Sequence, residues 1–187
     1  MAFALSQFFV ISDASDNVGY SQLAVSDYYD SLATHALGNH RALLEEVTLH
    51  PLMGRYLGML QNEKANPSRN TEPDENFARE IMQLFTIGLL ELNLDGTPRM
   101  SGGRPIESYT QDDVSQLARV FTGYDFDHSD GGNEARPGGG TIRTKDFASK
   151  PMLLYPERHS SLEARFLGVT VPANTPGAPA LRIALDR

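Results

Sequence analysis

The segment TEPDENFAREIMQLFTIG, residues 71–88, places the charged side chains of Glu75, Arg79 and Glu80 beside a run of apolar residues. A carboxylate near a guanidinium group is an arrangement used in acid–base catalysis, so Glu80 and Glu75 are candidate catalytic residues. The same charges have a structural interpretation, because Glu75 and Arg79 stand at the i, i+4 spacing of a helix ion pair. Structural ion pairs perturb charged groups as readily as active sites do, so the structural interpretation is favoured.

A second segment, TQDDVSQLARVFTG at 110–123, reads as an amphipathic helix that follows the first. Thr110 is its predicted N-cap, with Asp113 in the position of a capping-box acid. Arg119 borders the predicted apolar stripe of this helix and is the natural partner for Glu80 on the neighbouring helix. A partly shielded carboxylate needs such a cation. The favoured hypothesis is therefore an ion-pair network that locks the two helices together.

His159 lies in a long irregular stretch, directly after Glu157 and Arg158. A histidine in a loop can act as a general base or as a metal ligand, which makes it a third candidate catalytic residue. No second ligand stands at a zinc-binding spacing from it. A hydrogen-bonded surface histidine is therefore the favoured interpretation.

The loop DFDHSDGG, residues 125–132, brings together Asp125, Asp127 and Asp130. Carboxylate oxygens suit Ca²⁺, which is the one cofactor that the sequence suggests. The spacing does not match an EF-hand, because Ser129 and Asp130 stand where that pattern has an acid and a glycine. A solvated acidic turn is therefore favoured over a Ca²⁺ site.

Composition removes several classes of function. The net charge of −8 and the pI near 5.0 oppose binding to nucleic acid, which requires clustered Lys and Arg. The absence of cysteine excludes disulfides and thiolate chemistry, and no apolar run is long enough to span a membrane. The sequence also contains no Walker A, nucleophile-elbow or His-Glu-x-x-His motif. Ordinary kinases, serine α/β-hydrolases and zincins are not expected.

The periodicity of apolar residues predicts a mainly α fold, an irregular helical domain that covers residues 1–187. Its helical core is expected in 1–123, followed by a loop-rich region at 124–179 and the start of a further helix at 180–187. The β structure expected is a short hairpin around Asp95–Gly96 and a short strand at RFLGVTV, 165–171, inside the loop-rich region. Because the last helix begins so close to the final residue, two interpretations are open: the sequence is an excerpt of a longer protein, or its last helix is unusually short.

The local sequence predicts a start for one helix, an end for another and a further helix at the beginning of the chain. Thr71 is predicted to cap a helix over 71–88, and Gly123 is predicted to end the helix over 110–123. The first segment, MAFALSQFFVIS, is apolar almost all round, which favours a buried helix at the start of the chain.

The two motifs PDENFAREIMQLFTIGL and YTQDDVSQLARVFTGY occur here in this order and resemble the characteristic pair of a bacterial family, domain of unknown function 1800. The resemblance extends to FALSQFFVIS and to the segment PMLLYPERH followed by FLGVTVP, at 151–172. It implies a mainly helical, exported bacterial protein, with a sulfatase-like exported protein as its partner. The family's usual acid after the histidine is replaced here by Ser160, and the resemblance implies no known catalytic residue.

Two functions remain open on the sequence. The first is an exported, non-catalytic protein that binds or assembles with a partner. The second is a hydrolase, for example one that acts on carbohydrate polymers, which uses Glu80 or Glu75 as acid/base with assistance from His159 or from a cation bound in the acidic loop. A glycosidase would need two carboxyl groups facing one cleft, about 5–5.5 Å or 6.5–9.5 Å apart.

Overall fold

The computed structural model describes residues 1–12, 22–127, 129, 133–135, 141–143 and 149–186 of the 187-residue chain. These residues form seven helices and eight short strands, and every strand pairs with one antiparallel neighbour. The helices are α1 (Ala2–Leu5), α2 (Gln22–Thr34), α3 (His40–Leu49), α4 (Pro51–Tyr56), α5 (Asn76–Gln83), α6 (Gln111–Val120) and α7 (Gly177–Leu185).

The strands form four separate two-stranded sheets. In chain order they are β1 (Met100–Ser101), β2 (Arg104–Pro105), β3 (Tyr124–Asp125), β4 (Asn133–Ala135), β5 (Thr141–Arg143), β6 (Leu153–Leu154), β7 (Ala164–Phe166) and β8 (Val169–Val171). The pairs are β1–β2, β3–β6, β4–β5 and β7–β8, and the register matches Met100 with Pro105, Tyr124 with Leu154, Glu134 with Ile142 and Arg165 with Thr170.

The mainly helical prediction therefore holds only in part, because the described residues mix helices with short strand pairs. The expectation of at most one hairpin is wrong. Six strands lie in the region 124–179, for which the sequence predicts irregular structure. Each strand has only two or three residues, which is too short to show an alternating apolar pattern in the sequence. The strands form because they pair with one another. The predicted turn at Asp95–Gly96 does form, with the Asn93 N–H donating to the Thr97 carbonyl at 2.8 Å.

The chain divides into two compact units. Unit 1 consists of Met1–Gln61 and Tyr124–Tyr155, and unit 2 consists of Asn62–Gly123 and Pro156–Arg187. The organisation of residues 1–187 as one domain stays a prediction. None of the helices in the described part of the chain is long and apolar enough to cross a membrane.

Unit 1 is built around α2, α3 and α4, whose inward faces bury residues such as Leu32, Val47 and Met53. The buried N-terminal helix predicted from the sequence is wrong, since α1 is only four residues long and Phe3 and Phe8 are exposed. Of the aromatic residues in this segment only Phe9 is buried, and the Tyr28 hydroxyl of α2 donates to its carbonyl at 2.8 Å.

His50 is a buried titratable group of unit 1. Its Nδ1 accepts a hydrogen bond from the Leu52 N–H at 3.2 Å and so caps α4, while its ring stands edge-on to Tyr28 with 4.9 Å between centroids. Burial lowers the pKa of His50 below its usual value, and the carboxylate of Asp27, 3.4 Å from Nε2, opposes that shift. The carboxylate offsets only part of the cost of burying a charge, because the pKa of His50 stays below its usual value.

Unit 2 is built around α5 and α6, whose apolar faces meet through Phe77 and Phe121. The two rings pack edge-on, with centroids 4.9 Å apart and planes 89° apart. The start of α6 agrees with the prediction: the Thr110 hydroxyl accepts from the Asp113 N–H at 3.2 Å, and the Asp113 carboxylate accepts from the Thr110 N–H at 2.8 Å. The second oxygen of Asp113 accepts from the N–H of Leu167 at 2.7 Å, which attaches the β7–β8 turn to the helix.

The start of α5 differs from the prediction, because the helix begins at Asn76 and Thr71 does not cap it. Asn62 donates to the carbonyl of Asp74 at 3.0 Å and accepts from its N–H at 2.8 Å. The N–H of Thr71 is bound to the carbonyl of Asn66 at 3.2 Å. The Asn62 side chain therefore takes the Asp74 N–H that the Thr71 hydroxyl would cap and the Asp74 carbonyl that a helix from 71 would pair with residue 78, so the helix starts later.

Gly123 ends the turn after α6 and brings another segment of unit 2 close to the helix. Its φ is +86°, and a Cβ atom there would stand 2.8 Å from the backbone nitrogen of His159 and 3.0 Å from its Cα. Both the left-handed backbone and the lack of space therefore require glycine at this position. The contact fixes where residues 156–160 lie against α6.

We predict that Gly123→Ala lowers the free energy of unfolding more than Gly168→Ala does. Gly168 has a similar φ of +75°, but a Cβ added there would meet no atom within 4 Å, so its variant carries only the cost of the left-handed backbone. The contact of a Cβ at 123 with the His159 backbone adds about 1–3 kcal/mol of overpacking. Urea unfolding followed by circular dichroism measures both losses, and equal losses would mean that residue 159 moves aside without cost.

We also predict that the protein loses stability as the pH falls below about 6.5, the ordinary histidine value, and that His50 contributes to this loss. Above that pH the His50 ring is neutral in the folded and in the unfolded protein. Below it the unfolded protein binds a proton more tightly than the folded protein does, because the pKa of His50 is lower in the folded protein. Protonation therefore favours unfolding. His50→Asn keeps a side-chain oxygen that can cap α4 and removes the titration.

Unfolding free energies at pH 7.5 and 5.5 test this, with a contribution from one group of at most about 1.4 kcal/mol per pH unit. The decrease should be smaller in His50→Asn than in the unchanged protein. His40→Asn, at an exposed histidine, is the control. The same decrease in all three proteins would contradict the assignment to His50.

Candidate functional site

Glu75 stands at the start of α5 and reaches across to α6. Its carboxylate accepts three hydrogen bonds, from Arg79 at 3.1 Å, from the Gln111 amide at 2.7 Å and from the Ser115 hydroxyl at 2.5 Å. Arg79 in turn donates to the Gln111 amide oxygen at 3.1 Å. Because two of the three donors belong to α6, this carboxylate joins the two helices. The predicted i, i+4 pair between Glu75 and Arg79 is also present.

Glu80 lies one turn further along α5 and has a different environment. Its Oε2 has no solvent contact and no hydrogen-bond partner within the described residues. Burial raises the pKa of the nearby Tyr109 hydroxyl, with the positive charge of Arg79 opposing the rise and the negative charge of Glu80 adding to it. Glu80, Arg79 and Tyr109 are therefore close enough to influence one another electrostatically, although no hydrogen bond joins Glu80 to either in the part of the chain that is described.

The predicted ion pair between Glu80 and Arg119 is wrong. One terminal nitrogen of Arg119 donates to the Gln116 amide oxygen at 2.8 Å and to the backbone carbonyl of Glu163 at 3.0 Å. On a helix with 3.6 residues per turn, Arg119 lies between the side that carries Ser115 and the side that carries Gln116. It turns toward Gln116, whose side faces β7, rather than toward α5.

His159 is buried rather than on the surface, and it is hydrogen-bonded as predicted. Its Nδ1 lies 2.8 Å from the carbonyl of Thr122, which follows α6. The Thr122 hydroxyl donates to the Arg119 carbonyl at 2.7 Å and accepts from the Ser160 N–H at 2.8 Å. Thr122 thus holds both residues of the His159–Ser160 pair against the end of α6.

A small, partly open depression lies beside this pair. It is lined by the polar residues Arg119, His159, Ser160 and Thr175 and by the apolar residues Val120, Leu162, Ala164, Val171, Pro172 and Ala180. It has room for about one water-sized group. Glu75 and Glu80 do not line it, so the three catalytic candidates do not share this depression.

The acidic loop is described only in part, because Asp130 lies outside the described residues. The buried carboxylate of Asp125 accepts from the Gln61 amide at 3.3 Å and from the Phe126 N–H at 2.8 Å, while Asp127 accepts from the Ser129 N–H at 2.8 Å. No group of three His, Asp or Glu side chains within the described residues could hold a metal ion. A Ca²⁺ site at Asp125, Asp127 and Asp130 stays a prediction.

Sequence reasoning missed the side chains that complete these arrangements. Gln111 and Ser115 bind Glu75, and Thr122 binds His159 and Ser160. Gln111 and Ser115 stand four residues apart, which places them on one helix face, but a polar pair at that spacing is equally typical of a solvated surface. Thr122 carries no signal of its own in the sequence.

Comparison with known proteins gives one match. No curated protein and no solved structure matches the chain. The model of a family described as protein of unknown function (DUF1800) matches residues 1–187, which is the whole sequence. The resemblance carried by the two helix motifs is thereby confirmed, and the chain belongs to the DUF1800 family.

Proposed function

We propose that the protein has a non-catalytic role and binds a protein partner through an apolar surface of unit 2. The observation that carries this proposal is the exposure of six large apolar side chains within one stretch, which we call the apolar segment 84–100. They are Leu84, Ile87, Leu89, Leu92, Leu94 and Met100. Exposed apolar groups of this extent with a polar border are typical of protein–protein contact sites.

The backbone of this segment is ordered by hydrogen bonds, so it can present its side chains in a fixed arrangement. The Glu91 N–H donates to the Ile106 carbonyl at 2.9 Å, and the Arg99 N–H donates to the Glu91 carbonyl at 2.8 Å. The side chains of Glu91 and Arg99 also form an ion pair, which supplies the polar border. A preordered surface binds with less loss of conformational entropy than a flexible loop does.

The environment of Glu75 supports the non-catalytic part of the proposal. Its carboxylate accepts from three donors, two of them on α6, and proton transfer to or from a substrate would have to disrupt that network. An exported location and a sulfatase-like exported protein as the partner, both implied by the family resemblance, belong to the same proposal.

We predict that Leu92→Ser combined with Leu94→Ser weakens binding to the sulfatase-like partner at least about tenfold. Each leucine contributes about 1.5–3 kcal/mol when it is buried at an interface, and a factor of ten corresponds to about 1.4 kcal/mol. Purified proteins compared by isothermal titration calorimetry give the two affinities. Leu37→Ser, at an exposed leucine of unit 1, is the matched control and should bind like the unchanged protein.

Three results would contradict the proposal. They are the absence of any complex with that partner, equal affinities for the double variant and the unchanged protein, and self-association that uses the same leucines. The last result would assign the surface to a second copy of this chain.

A second function, hydrolysis with Glu80 as acid/base, is favoured by one observation. The side chain of Glu80 accepts no hydrogen bond within the described residues, and one of its oxygens is shielded from solvent beside Tyr109. A structural carboxylate is normally satisfied, whereas a catalytic one is often left unsatisfied at a cost in stability.

Glu80→Gln separates the two functions. Because the substitution breaks no hydrogen bond of the described residues at this side chain, we predict an unchanged or higher Tm. Under the partner-binding proposal, neither this variant nor the unchanged protein releases reducing sugar from a panel of polysaccharides. Hydrolysis that is lost in Glu80→Gln and retained in Glu72→Gln, an exposed acid upstream of α5, would overturn that proposal in favour of the hydrolase.

A further inference from the structure

Within the apolar segment 84–100, the backbone of residues 89–93 makes its hydrogen bonds on one side. Every one of these bonds involves an odd-numbered residue of this stretch. They run from the Ser108 N–H to the Leu89 carbonyl at 3.0 Å, from the Glu91 N–H to the Ile106 carbonyl at 2.9 Å, from the Arg99 N–H to the Glu91 carbonyl at 2.8 Å, from the Asn93 N–H to the Thr97 carbonyl at 2.8 Å and from the Gly96 N–H to the Asn93 carbonyl at 3.0 Å. Because successive residues of a strand direct their N–H and C=O groups to opposite sides, residues 90 and 92 face the other side.

Leu90 and Leu92 are the residues on that other side. Leu90 lies opposite Glu107 and Leu92 lies opposite Pro98, in antiparallel pairs whose own N–H and C=O groups point away from the neighbouring strand. Within the described residues these groups of Leu90 and Leu92 make no hydrogen bond. Leu92 is also 57% exposed, so the described chain does not cover it. Residues 89–93 therefore form a sheet edge with unused donors and acceptors, which we call the open edge 89–93.

The open edge lacks the features that usually protect a strand from pairing with another chain. Proteins place lysine or proline on such an edge, bulge it or cover it, because its unpaired backbone groups otherwise bind a further strand. Residues 84–94 contain no Lys and no Pro. Their only charged residue, Glu91, already forms an ion pair with Arg99. The alternating donors and acceptors of this edge fit an extended backbone.

The side chains beside the edge define the strand that it would accept. Side chains alternate between the two faces of a sheet, so Leu90 and Leu92 lie on one face and Glu91 lies on the other. A residue directly opposite on an added antiparallel strand has its Cβ about 4.5–5.5 Å away, where apolar pairs and opposite charges are favourable and like charges are not. The added strand should therefore be apolar beside Leu90 and Leu92 and basic opposite Glu91. The net charge of −8 on this chain also favours a basic segment.

A second copy of this chain fits the open edge less well. Because the outward residues of the edge are Leu90 and Leu92, the antiparallel register that uses both of them in each copy pairs Leu90 of one copy with Leu92 of the other. This register places the two Glu91 side chains directly opposite each other, which is unfavourable for like charges. The net charge of −8 on each copy adds to the repulsion. The edge therefore suits a strand from a different protein.

We infer that the open edge 89–93 binds an extended segment of the partner protein as an added antiparallel β-strand, with apolar side chains beside Leu90 and Leu92 and a basic side chain opposite Glu91. The inference rests on the proposed partner binding through the apolar segment 84–100 and specifies how the partner is recognised. Backbone hydrogen bonds supply the affinity, and side chains at alternate positions supply the selectivity.

The test uses a short peptide as the probe and the exchange of single backbone N–H groups with water, followed by NMR, as the readout. The peptide is acetylated and amidated Thr-Val-Lys-Val-Thr, whose valines would lie beside Leu90 and Leu92 and whose lysine would lie opposite Glu91. In the protein alone the N–H groups of Leu90 and Leu92 should exchange fast, and those of Glu91 and Asn93 slowly, because only the latter are hydrogen-bonded. Peptide at about ten times its Kd should slow exchange at Leu90 and Leu92 about tenfold.

Methylation of the peptide backbone tests the added strand without changing the protein. N-methylation of either valine removes an N–H that faces the edge, and it should abolish the protection of Leu90 and Leu92. N-methylation of the lysine is the matched control, because that N–H faces away from the edge, and the protection should remain.

Variants of the protein test the same contacts from the other side. Leu92→Pro removes the outward N–H of residue 92 and breaks no hydrogen bond of the described residues, so it should abolish binding, whereas Leu92→Val should retain it. Circular dichroism checks that both variants are folded, and the methylated peptides decide the question if Leu92→Pro is not.

The charge opposite the edge is tested with a second peptide, in which glutamate replaces the lysine. It should bind the unchanged protein at least about threefold more weakly than the lysine peptide does. In Glu91→Gln the difference between the two peptides should disappear, and in Glu72→Gln, at an exposed acid, it should remain.

Several results would overturn the inference. They are the absence of saturable protection at Leu90 and Leu92, equal effects of methylating valine and lysine, and glutamate and lysine peptides that bind equally well. Protection that increases with protein concentration in the absence of peptide would assign the edge to a second copy and overturn it as well.

Failure of the added strand can be distinguished from failure of the proposed function. A complex with the sulfatase-like partner that leaves exchange at Leu90 and Leu92 fast would refute the added strand and keep partner binding. Protection by the peptide without any complex with that partner would support the open edge and refute the sulfatase-like protein as its occupant.

Discussion

At the end of α6 the backbone of Gly123 lies directly against that of His159, so closely that a Cβ on residue 123 would stand 2.8 Å from the His159 nitrogen. Other tertiary bonds of unit 2 form beside this contact. The Gly123 N–H donates to the Asn62 carbonyl at 2.8 Å, and the Lys64 N–H donates to the Arg158 carbonyl at 2.9 Å. A larger residue at 123 would separate these segments, and His159 could no longer reach the Thr122 carbonyl.

Helix α6 makes hydrogen bonds to a different segment of unit 2 from each part of its length. In its first turn Asp113 both caps the helix and receives the Leu167 N–H, and these hydrogen bonds outweigh the effect of burial and hold the pKa of its carboxyl below the usual value. Two residues further along, on the other side of the helix, Ser115 binds Glu75 of α5. At the far end, Arg119 and Thr122 bind the segment that carries His159. Two of the three residues that sequence analysis associates with catalysis, Glu75 and His159, are therefore bound to α6 and to Thr122 directly after it.

Local signals in the sequence were sufficient to predict α6, because a capping box is made by residues three positions apart. The start of α5 could not be predicted in the same way. The bonds from Asn62 to Asp74 cross 12 residues, and nothing within the helix sequence shows that they prevail over Thr71 as a cap. Strands β3 and β6 are each two residues long and are about 30 residues apart in the chain, so neither has a detectable alternating pattern.

The candidate site also combines one feature that the local sequence predicts with one that depends on distant contacts. The pair Glu75–Arg79 follows from helix geometry and is present, but the partner of Arg119 depends on how the side chain turns between two faces of α6. A helical wheel places Arg119 near both neighbours and cannot choose between them. Arg119 turns toward the backbone carbonyl of Glu163, to which it donates a hydrogen bond. A sequence does not show where a backbone acceptor will lie.

Glu75 and Glu80 are five residues apart on the same chain segment, and their difference bears most directly on function. Glu75 is satisfied by three donors, so its negative charge is compensated and its position is fixed. Glu80 has a shielded oxygen with no partner in the described residues, a state that burial makes unfavourable. If the charges of this region served only to join α5 and α6, both carboxylates would be expected to be satisfied. The unsatisfied one therefore keeps the hydrolase alternative open, while the exposed apolar side chains of segment 84–100, which begin four residues after Glu80, favour partner binding.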